Sequence, residues 1–388
     1  MGKKSVRVIV LFSVLAIALG LMFLGCEKKP ELTGTIKIGV AAPMSGDAAA
    51  YGEVIYNGAM MKVEEINAAG GVNGATLELV VGDELCDPKE AAIVAQNFVN
   101  DPAILAVVGH VCSSAMLAAI PYYKEAGLCA VSPTATNVTI GVVGEGWMFR
   151  DVYRDDFQGK FMAEYTKNVL GITKVGVFYE NNDYALGLKD AFVAAATEIG
   201  LEIVGEEAYT TGTTDFNPQL TKFKELAPEA IFIAGYYQEG GLILSQAKKL
   251  GLNVQFMGAD GLNNPELINI AKDAAEGFLA SSPLVFEVAG DEALKFKADF
   301  EAKYGSTPDW MAANAYDAVG IIAKAIEDCG ADRAKIRECL AGMNSANKGY
   351  EGITGVTFFD ANGDCQKPAY VNLVKDGVFV AAEKQMLE

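Results

Sequence analysis

Ile104-Leu-Ala-Val-Val-Gly-His110-Val-Cys112-Ser113-Ser114-Ala-Met-Leu-Ala-Ala119 is the stretch on which the reading of this chain turns. It opens as a short, largely β-branched run, stops at Gly109, and within four residues becomes a helix-permissive segment whose first turn carries two serines. Ser113 and Ser114 are thereby set at the C-terminal edge of a buried strand. At such an edge helix N–H groups point outward with partial positive charge, so open α/β sheets take small ligands there and a carboxylate is welcome. Leu128-Cys-Ala-Val-Ser132-Pro-Thr134-Ala135-Thr136-Asn137 repeats the design, and the two stretches together predict a hydroxyl-lined lip.

Outward from this stretch, short apolar runs alternate with longer amphipathic ones. Upstream the pattern predicts strand 35–42, helix 52–68, strand 77–82 and helix 88–100. After Met148-Phe-Arg150 a fresh series begins: helix 155–170, strand 174–179, helix 184–199, strand 202–209, helix 217–226, strand 230–235, helix 239–250 and strand 254–258. Helices follow at 291–304 and 311–327, and the tail from Gly349 to Val380 reads as hairpin-like strands joined at Asp360-Ala-Asn-Gly363. Strict alternation implies parallel sheets covered by helices on both faces, an α/β class, and the restart near residue 150 implies a second domain.

Composition limits the partners. The chain has 388 residues with 51% hydrophobic content, enough for two cores, and a formal charge of -19 that argues against nucleic acid or anionic lipid. A single histidine leaves little for His-based metal sites or His-activated nucleophiles. Asp83, Glu84 and Asp87 are acidic neighbours without a ligand-spaced loop, so neither a metal nor any cofactor is expected. The N-terminus carries Lys3, Lys4 and Arg7, an apolar run from Val8 to Leu24, then Gly25-Cys26. This looks like a bacterial lipoprotein signal over residues 1–25, with Cys26 lipidated and 26–32 as linker; an uncleaved anchor helix is the alternative. Loss of the three basic residues takes the charge from -19 to -22.

Setting Cys26 aside, six of the seven cysteines remain, an even number suited to an oxidising compartment. Cys86 and Cys112 each follow a predicted strand at one sheet edge and can meet. Cys329 and Cys339 bracket a short loop and a helix start, which suits a local clip. Elimination leaves Cys129 with Cys365.

At this point seven runs, in order and at similar spacing, carry a resemblance. Ala42-Pro-Met-Ser-Gly46 with Tyr51-Gly52, Asp87-Pro88, Gly109-His-Val-Cys-Ser-Ser114, Ser132-Pro-Thr-Ala-Thr136, Phe149-Arg150 with Asp155 and Gln158-Gly159, Gly235-Tyr-Tyr237, and Phe256-Met-Gly-Ala-Asp-Gly261 resemble the leucine/isoleucine/valine-binding proteins of bacterial ABC importers. The resemblance implies a type I periplasmic binding protein: two doubly wound parallel-sheet lobes joined by three crossovers, with residues 33–152 plus 283–359 in the N-terminal lobe and 153–282 plus 360–388 in the C-terminal one. It implies an extracytoplasmic, membrane-anchored monomer that hands an amino acid to permease subunits.

A free amino acid brings one ammonium and one carboxylate, and burying either without partners costs several kcal/mol. Ser113 and Thr136 suit the carboxylate; the Thr134 carbonyl and the Asp260 carboxylate suit the ammonium. These positions match the family's ligand contacts, as does Tyr236, while Asp260 stands where that family has the longer Glu. Tyr51, Val111, Cys112, Ala135, Tyr184 and Met311 would then surround an aliphatic side chain. Taken one at a time, the serines could be a helix cap, Asp260 a turn residue, and the tyrosines ordinary half-buried aromatics; His110 reads as structural. A thiol or serine hydrolase would need His110 to activate Cys112 or Ser113, and residues two apart on an extended segment face opposite ways. A ligand-sensing receptor of the same fold is the remaining alternative, although no second apolar span or basic helix-turn-helix follows.

Overall fold

The computed structural model describes residues 31–386. The signal segment, Cys26 and most of the linker lie outside the described residues. Among the described residues no helix is long and apolar enough to cross a membrane.

The first series is β1 (Thr35–Ala42), α1 (Ala49–Ala68), β2 (Thr76–Asp83), α2 (Pro88–Asn100), β3 (Ile104–Val108), α3 (Ser113–Ala126), β4 (Cys129–Ser132), α4 (Thr139–Gly144) and β5 (Met148–Arg150). Its strands form one parallel sheet in the order β2-β1-β3-β4-β5. The second series is α5 (Asp155–Asn168), β6 (Lys174–Glu180), α6 (Asp183–Ile199), β7 (Glu202–Tyr209), α7 (Asn217–Leu226), β8 (Ala230–Ala234), α8 (Tyr237–Leu250), β9 (Gln255–Gly258), α9 (Pro265–Ala271) and β10 (Leu279–Ser282). The chain then runs through α10 (Phe286–Ala289), α11 (Asp291–Tyr304), α12 (Trp310–Cys329), α13 (Arg333–Gly342), β11 (Tyr350–Gly352), β12 (Gly355–Thr357), β13 (Tyr370–Lys375) and β14 (Val378–Ala381). The second sheet has the order β14-β13-β10-β9-β8-β6-β7, parallel from β10 to β7, with β13 and β14 antiparallel at one edge.

Every residue of β4 and β8 is buried, as a strand covered on both faces requires. Gly109 ends the deciding strand at φ +124, a conformation that L side chains rarely adopt, and a Cβ there would lie 2.4 Å from the Ala41 carbonyl oxygen. The chain can therefore swing from β3 toward Ser113 only because residue 109 has no side chain. Helix α12 returns from the second series and packs along α1. Gly58 permits the close approach, since a Cβ there would lie 2.1 Å from the Ala312 carbonyl oxygen. In the second sheet, Phe178 meets Tyr209, Phe216 and Phe223 at centroid distances of 5.2, 5.8 and 5.5 Å. Each such pair adds about 0.5–1.5 kcal/mol to area burial and helps fix α7 to the sheet.

Three connections link the series: 151–154, 283–285 and 358–369. Asp364, in the third, holds two residues around the first: Arg150 Nε donates to its Oδ1 at 2.7 Å and Arg154 Nη1 to its Oδ2 at 3.0 Å. Arg150 is only 1% exposed, and its Nη1 also donates to the carbonyls of Ala135 (3.1 Å) and Asn137 (2.9 Å). One guanidinium thus ties the crossovers to the loop after β4.

Two expectations need correction. The tail hairpins turn at Ile353-Thr354 and Asp376-Gly377, whereas Asp360-Ala-Asn-Gly363 is a tight turn inside the third connection, with the Gly363 N–H donating to the Asp360 carbonyl at 3.1 Å. Cys129 and Cys365 are not bridged; both are buried free thiols. Cys129 opens β4 at its N-terminal end, while the Cys365 Sγ lies against the Val152 carbonyl beyond the C-terminal edge of that sheet. Elimination cannot see that a strand's length separates them. The other pairs, Cys86–Cys112 and Cys329–Cys339, are disulfides.

Candidate functional site

The C-terminal edges of the two sheets face one another across a narrow space lined by Tyr51, Val111, Ser113, Thr134, Tyr184, Tyr236, Asp260, Gly261, Trp310 and Met311. The cavity they enclose is about 20 Å³. Each lining residue is placed by an element end. Ser113 is the first residue of α3, Thr134 follows β4, Tyr184 stands in the first turn of α6, Tyr236 caps α8, Asp260 follows β9, and Trp310 with Met311 begins α12 after the Asp309 cap.

On the first-sheet side, the Ser113 hydroxyl accepts the Asn137 N–H at 3.2 Å and the Thr134 hydroxyl donates to the Val111 carbonyl at 2.8 Å. On the opposite side, Tyr184 donates to Asp260 Oδ1 at 2.6 Å and accepts the Gly261 N–H at 3.1 Å. Tyr184 and Tyr236 stack at 5.1 Å. Asp260 Oδ2 is buried with no hydrogen-bond partner among the described residues. Burial pushes its carboxyl up to about 6 against the lowering effect of the Tyr184 and Gln158 hydrogen bonds.

A second buried carboxyl stands behind it. Gln158 Nε2 donates to Asp155 Oδ1 at 2.8 Å and to Asp260 Oδ1 at 3.3 Å, so one amide bridges both acids. Burial first, and then the negative charge of Asp260, pushes Asp155 up to about 7. The space therefore offers an acidic end, a hydroxyl and helix-start end at Ser113, and an aromatic and aliphatic wall between them. An acceptor for one cation and donors for one anion are present in a single small volume.

Of the expected residues, Tyr51, Val111, Ser113, Thr134, Tyr184, Tyr236, Asp260 and Met311 are brought together. Cys112, Ala135 and Thr136 stand behind that wall: Cys112 is tied to Cys86, Ala135 is 1% exposed with its carbonyl held by Arg150, and the Thr136 hydroxyl is buried without a partner among the described residues. Trp310 and Gly261 were not expected. Trp310 had one signal, its place directly after the capping Asp309 and before Met311. His110 lies beneath the loop, with Nδ1 on Glu84 and Nε2 on the Tyr123 hydroxyl at 2.7 Å, while Glu84 Oε1 accepts the Val111 N–H at 3.0 Å. The other acids near it are also engaged: Asp83 accepts from Met44 N (2.9 Å) and Ser45 Oγ (2.6 Å), and Asp87 caps α2 through Lys89 N (2.8 Å).

Two doubly wound sheets meeting over a small buried space with one acidic and one donor-rich end define a two-lobed solute-binding protein. The chain belongs to the periplasmic binding protein family, whose sequence pattern matches residues 35–378. A leucine-, isoleucine-, valine-, threonine- and alanine-binding protein of Pseudomonas aeruginosa is 38% identical over 369 residues, 94% of each chain. Among solved structures, the branched-chain amino acid transporter substrate-binding protein of Streptococcus pneumoniae in complex with isoleucine superposes with a TM-score of 0.85 at 35% identity, covering 91% of this chain and 100% of that one. A leucine-binding protein of Thermotoga maritima gives a TM-score of 0.83 at 34% identity, covering 89% and 97%.

Proposed function

We propose that this chain is the extracytoplasmic receptor of an ABC importer, closing on a branched-chain or other small aliphatic amino acid and presenting it to the permease. The observation that carries the reading is Asp260: a buried carboxylate oxygen with no partner faces, across a small space, the start of α3 at Ser113. A ligand ammonium would supply the missing partner, and the Ser113 end would take the carboxylate. Relatives bearing branched-chain names at 34–38% identity support the same ligand class. On this reading the two lobes comprise residues 33–152 plus 283–359 and 153–282 plus 360–388, and a lipidated Cys26 anchors the chain as a monomer. A binding rather than catalytic role agrees with the Cys86–Cys112 disulfide, which removes the one thiol near His110 from chemistry.

Calorimetry with leucine, isoleucine and valine against leucinamide, N-acetylleucine, glutamate and arginine tests this. The aliphatic amino acids should bind and both blocked derivatives should fail, because acetylation leaves the Asp260 carboxylate without its cation and amidation leaves the Ser113 and helix-start donors without an anion. Equal affinity for leucine and its amide, or preference for glutamate or arginine, would overturn the assignment.

A further inference from the structure

Trp310 lines the space between the lobes and is 3% exposed, yet its Nε1–H has no acceptor among the described residues. An indole nitrogen is a donor only, so it cannot be satisfied by rotating a hydrogen or switching roles. A buried donor left unpaired is unfavourable, and ordinary packing places such a group where a partner arrives.

The position of Trp310 narrows which ligand atom that partner is. It begins α12, the helix that packs along α1, and α1 carries Tyr51. Tyr51 in turn abuts Tyr236 and Tyr237 at 5.9 and 4.7 Å. The acidic end is Asp260 with Tyr184 and Gln158, and the anion end is Ser113 at the start of α3. Trp310 lines the same space as these residues, and none of the bonds at its acidic end is made by Trp310.

We propose that Trp310 is a specificity-determining residue whose Nε1–H donates to a hydroxyl oxygen on the ligand side chain, so that β-hydroxy amino acids of valine's shape, threonine first, are taken beside the aliphatic ones. This rests on the amino-acid reading above. Valine and threonine have nearly the same volume, so their affinity ratio isolates the contribution of the hydroxyl. An all-apolar pocket discriminates between them by only about a hundredfold in favour of valine, whereas a buried donor narrows or reverses that preference.

The test uses calorimetry and ¹H–¹⁵N spectra of the mature protein. The chain has two tryptophans, so two indole resonances are expected, and Trp147 is set apart against the Arg337 guanidinium at 4.9 Å. In the wild type, saturating threonine should shift the Trp310 indole proton downfield relative to its position with valine. Trp310→Phe keeps an aromatic wall and removes the donor, and should weaken threonine relative to valine by roughly threefold or more, the range for one lost hydrogen bond. An unchanged threonine-to-valine ratio in Trp310→Phe, or an indole resonance that responds identically to both ligands, would overturn the proposal. Should Trp310→Phe fail to fold, the wild-type spectra decide alone. No response to any amino acid would instead sink the amino-acid reading.

Discussion

Tyr51 and Tyr237 exchange hydroxyls across the cleft. The Tyr51 hydroxyl donates to the Gly261 carbonyl and accepts the Tyr237 N–H at 3.2 Å; the Tyr237 hydroxyl donates to the Asp47 carbonyl at 2.7 Å, and the two rings meet edge to face at 4.7 Å. At another edge Asn137 Nδ2 donates to the Asp183 carbonyl at 2.6 Å and the Asp183 N–H to Ser114 Oγ at 3.1 Å. None of these bonds involves a ligand, so the closed arrangement is stabilised by the protein itself and a ligand has only to shift an existing balance.

Tyr237 is absent from the lining of the space, which makes it the cleaner member to change. Tyr237→Phe keeps the ring contact and loses the bond to Asp47. It should raise the ligand dissociation rate about two- to tenfold with little change in association, and leave the ranking of ligands intact. Stopped-flow rates across three aliphatic amino acids check this, and an unchanged dissociation rate would count against the closure role.

The paired carboxyls set a pH dependence. Asp260 and Asp155 sit at about 6 and about 7, above their ordinary 3.8, so between pH about 4 and 7 the folded state holds protons that the unfolded chain has lost. Stability of the ligand-free protein should therefore fall as pH rises through that window and then level off. Ligand affinity runs the other way, because an ammonium needs an ionised partner. It should climb by up to about tenfold per unit below pH 6 and flatten above 7, with proton release on binding. Calorimetry in buffers of different ionisation enthalpy measures that release, and binding at pH 5.5 without proton release would refute the coupling. Asp260→Asn should abolish most of the pH dependence of ligand affinity and weaken binding by a few kcal/mol, while the contribution of Asp155 to the pH dependence of stability remains.

Beneath the loop, His110→Leu removes the partner of a fully buried Glu84 and of the Tyr123 hydroxyl together. A buried polar group left without its partner typically costs about 1–3 kcal/mol, so the urea midpoint should drop at nearly constant m. A second effect follows from the Val111 N–H, which Glu84 holds: affinity should fall even though His110 touches no ligand. Wild-type stability in His110→Leu would show that the pair is not needed.

The cysteines give a count. Without reductant, the six cysteines that follow Cys26 should present two reactive thiols in the denatured chain, at Cys129 and Cys365, and all six after reduction. In the native state both should resist labelling, since burial pushes each thiol up to about 12. Mass spectrometry after alkylation reads this directly. Reducing Cys86–Cys112 should destabilise the protein by about 3 kcal/mol in the chain-entropy account.

Much of this molecule is written locally. Alternating runs decided the parallel sheets, and Gly109 followed by Ser113 decided a strand edge opening into a helix, because these follow from side-chain periodicity and backbone sterics within a few residues. Ser113 and Thr134, on the two strand-edge stretches, were legible as ligand-facing candidates for the same reason, whereas Tyr184, Tyr236 and Asp260 were singled out with the help of the family resemblance. What tertiary structure alone decided is which distant ends meet. Only the return of α12 along α1 brings Trp310 to the space, only the third connection sets Asp364 against Arg150, and only the sheet's length keeps Cys129 from Cys365. The first two of these relations are contacts across 254 residues of chain, from Gly58 to Ala312, and 214, from Arg150 to Asp364, and a contact at that separation leaves no periodicity in the sequence. It exists because two apolar surfaces had to be buried against each other, and the polar groups they carried were then placed where the packing put them.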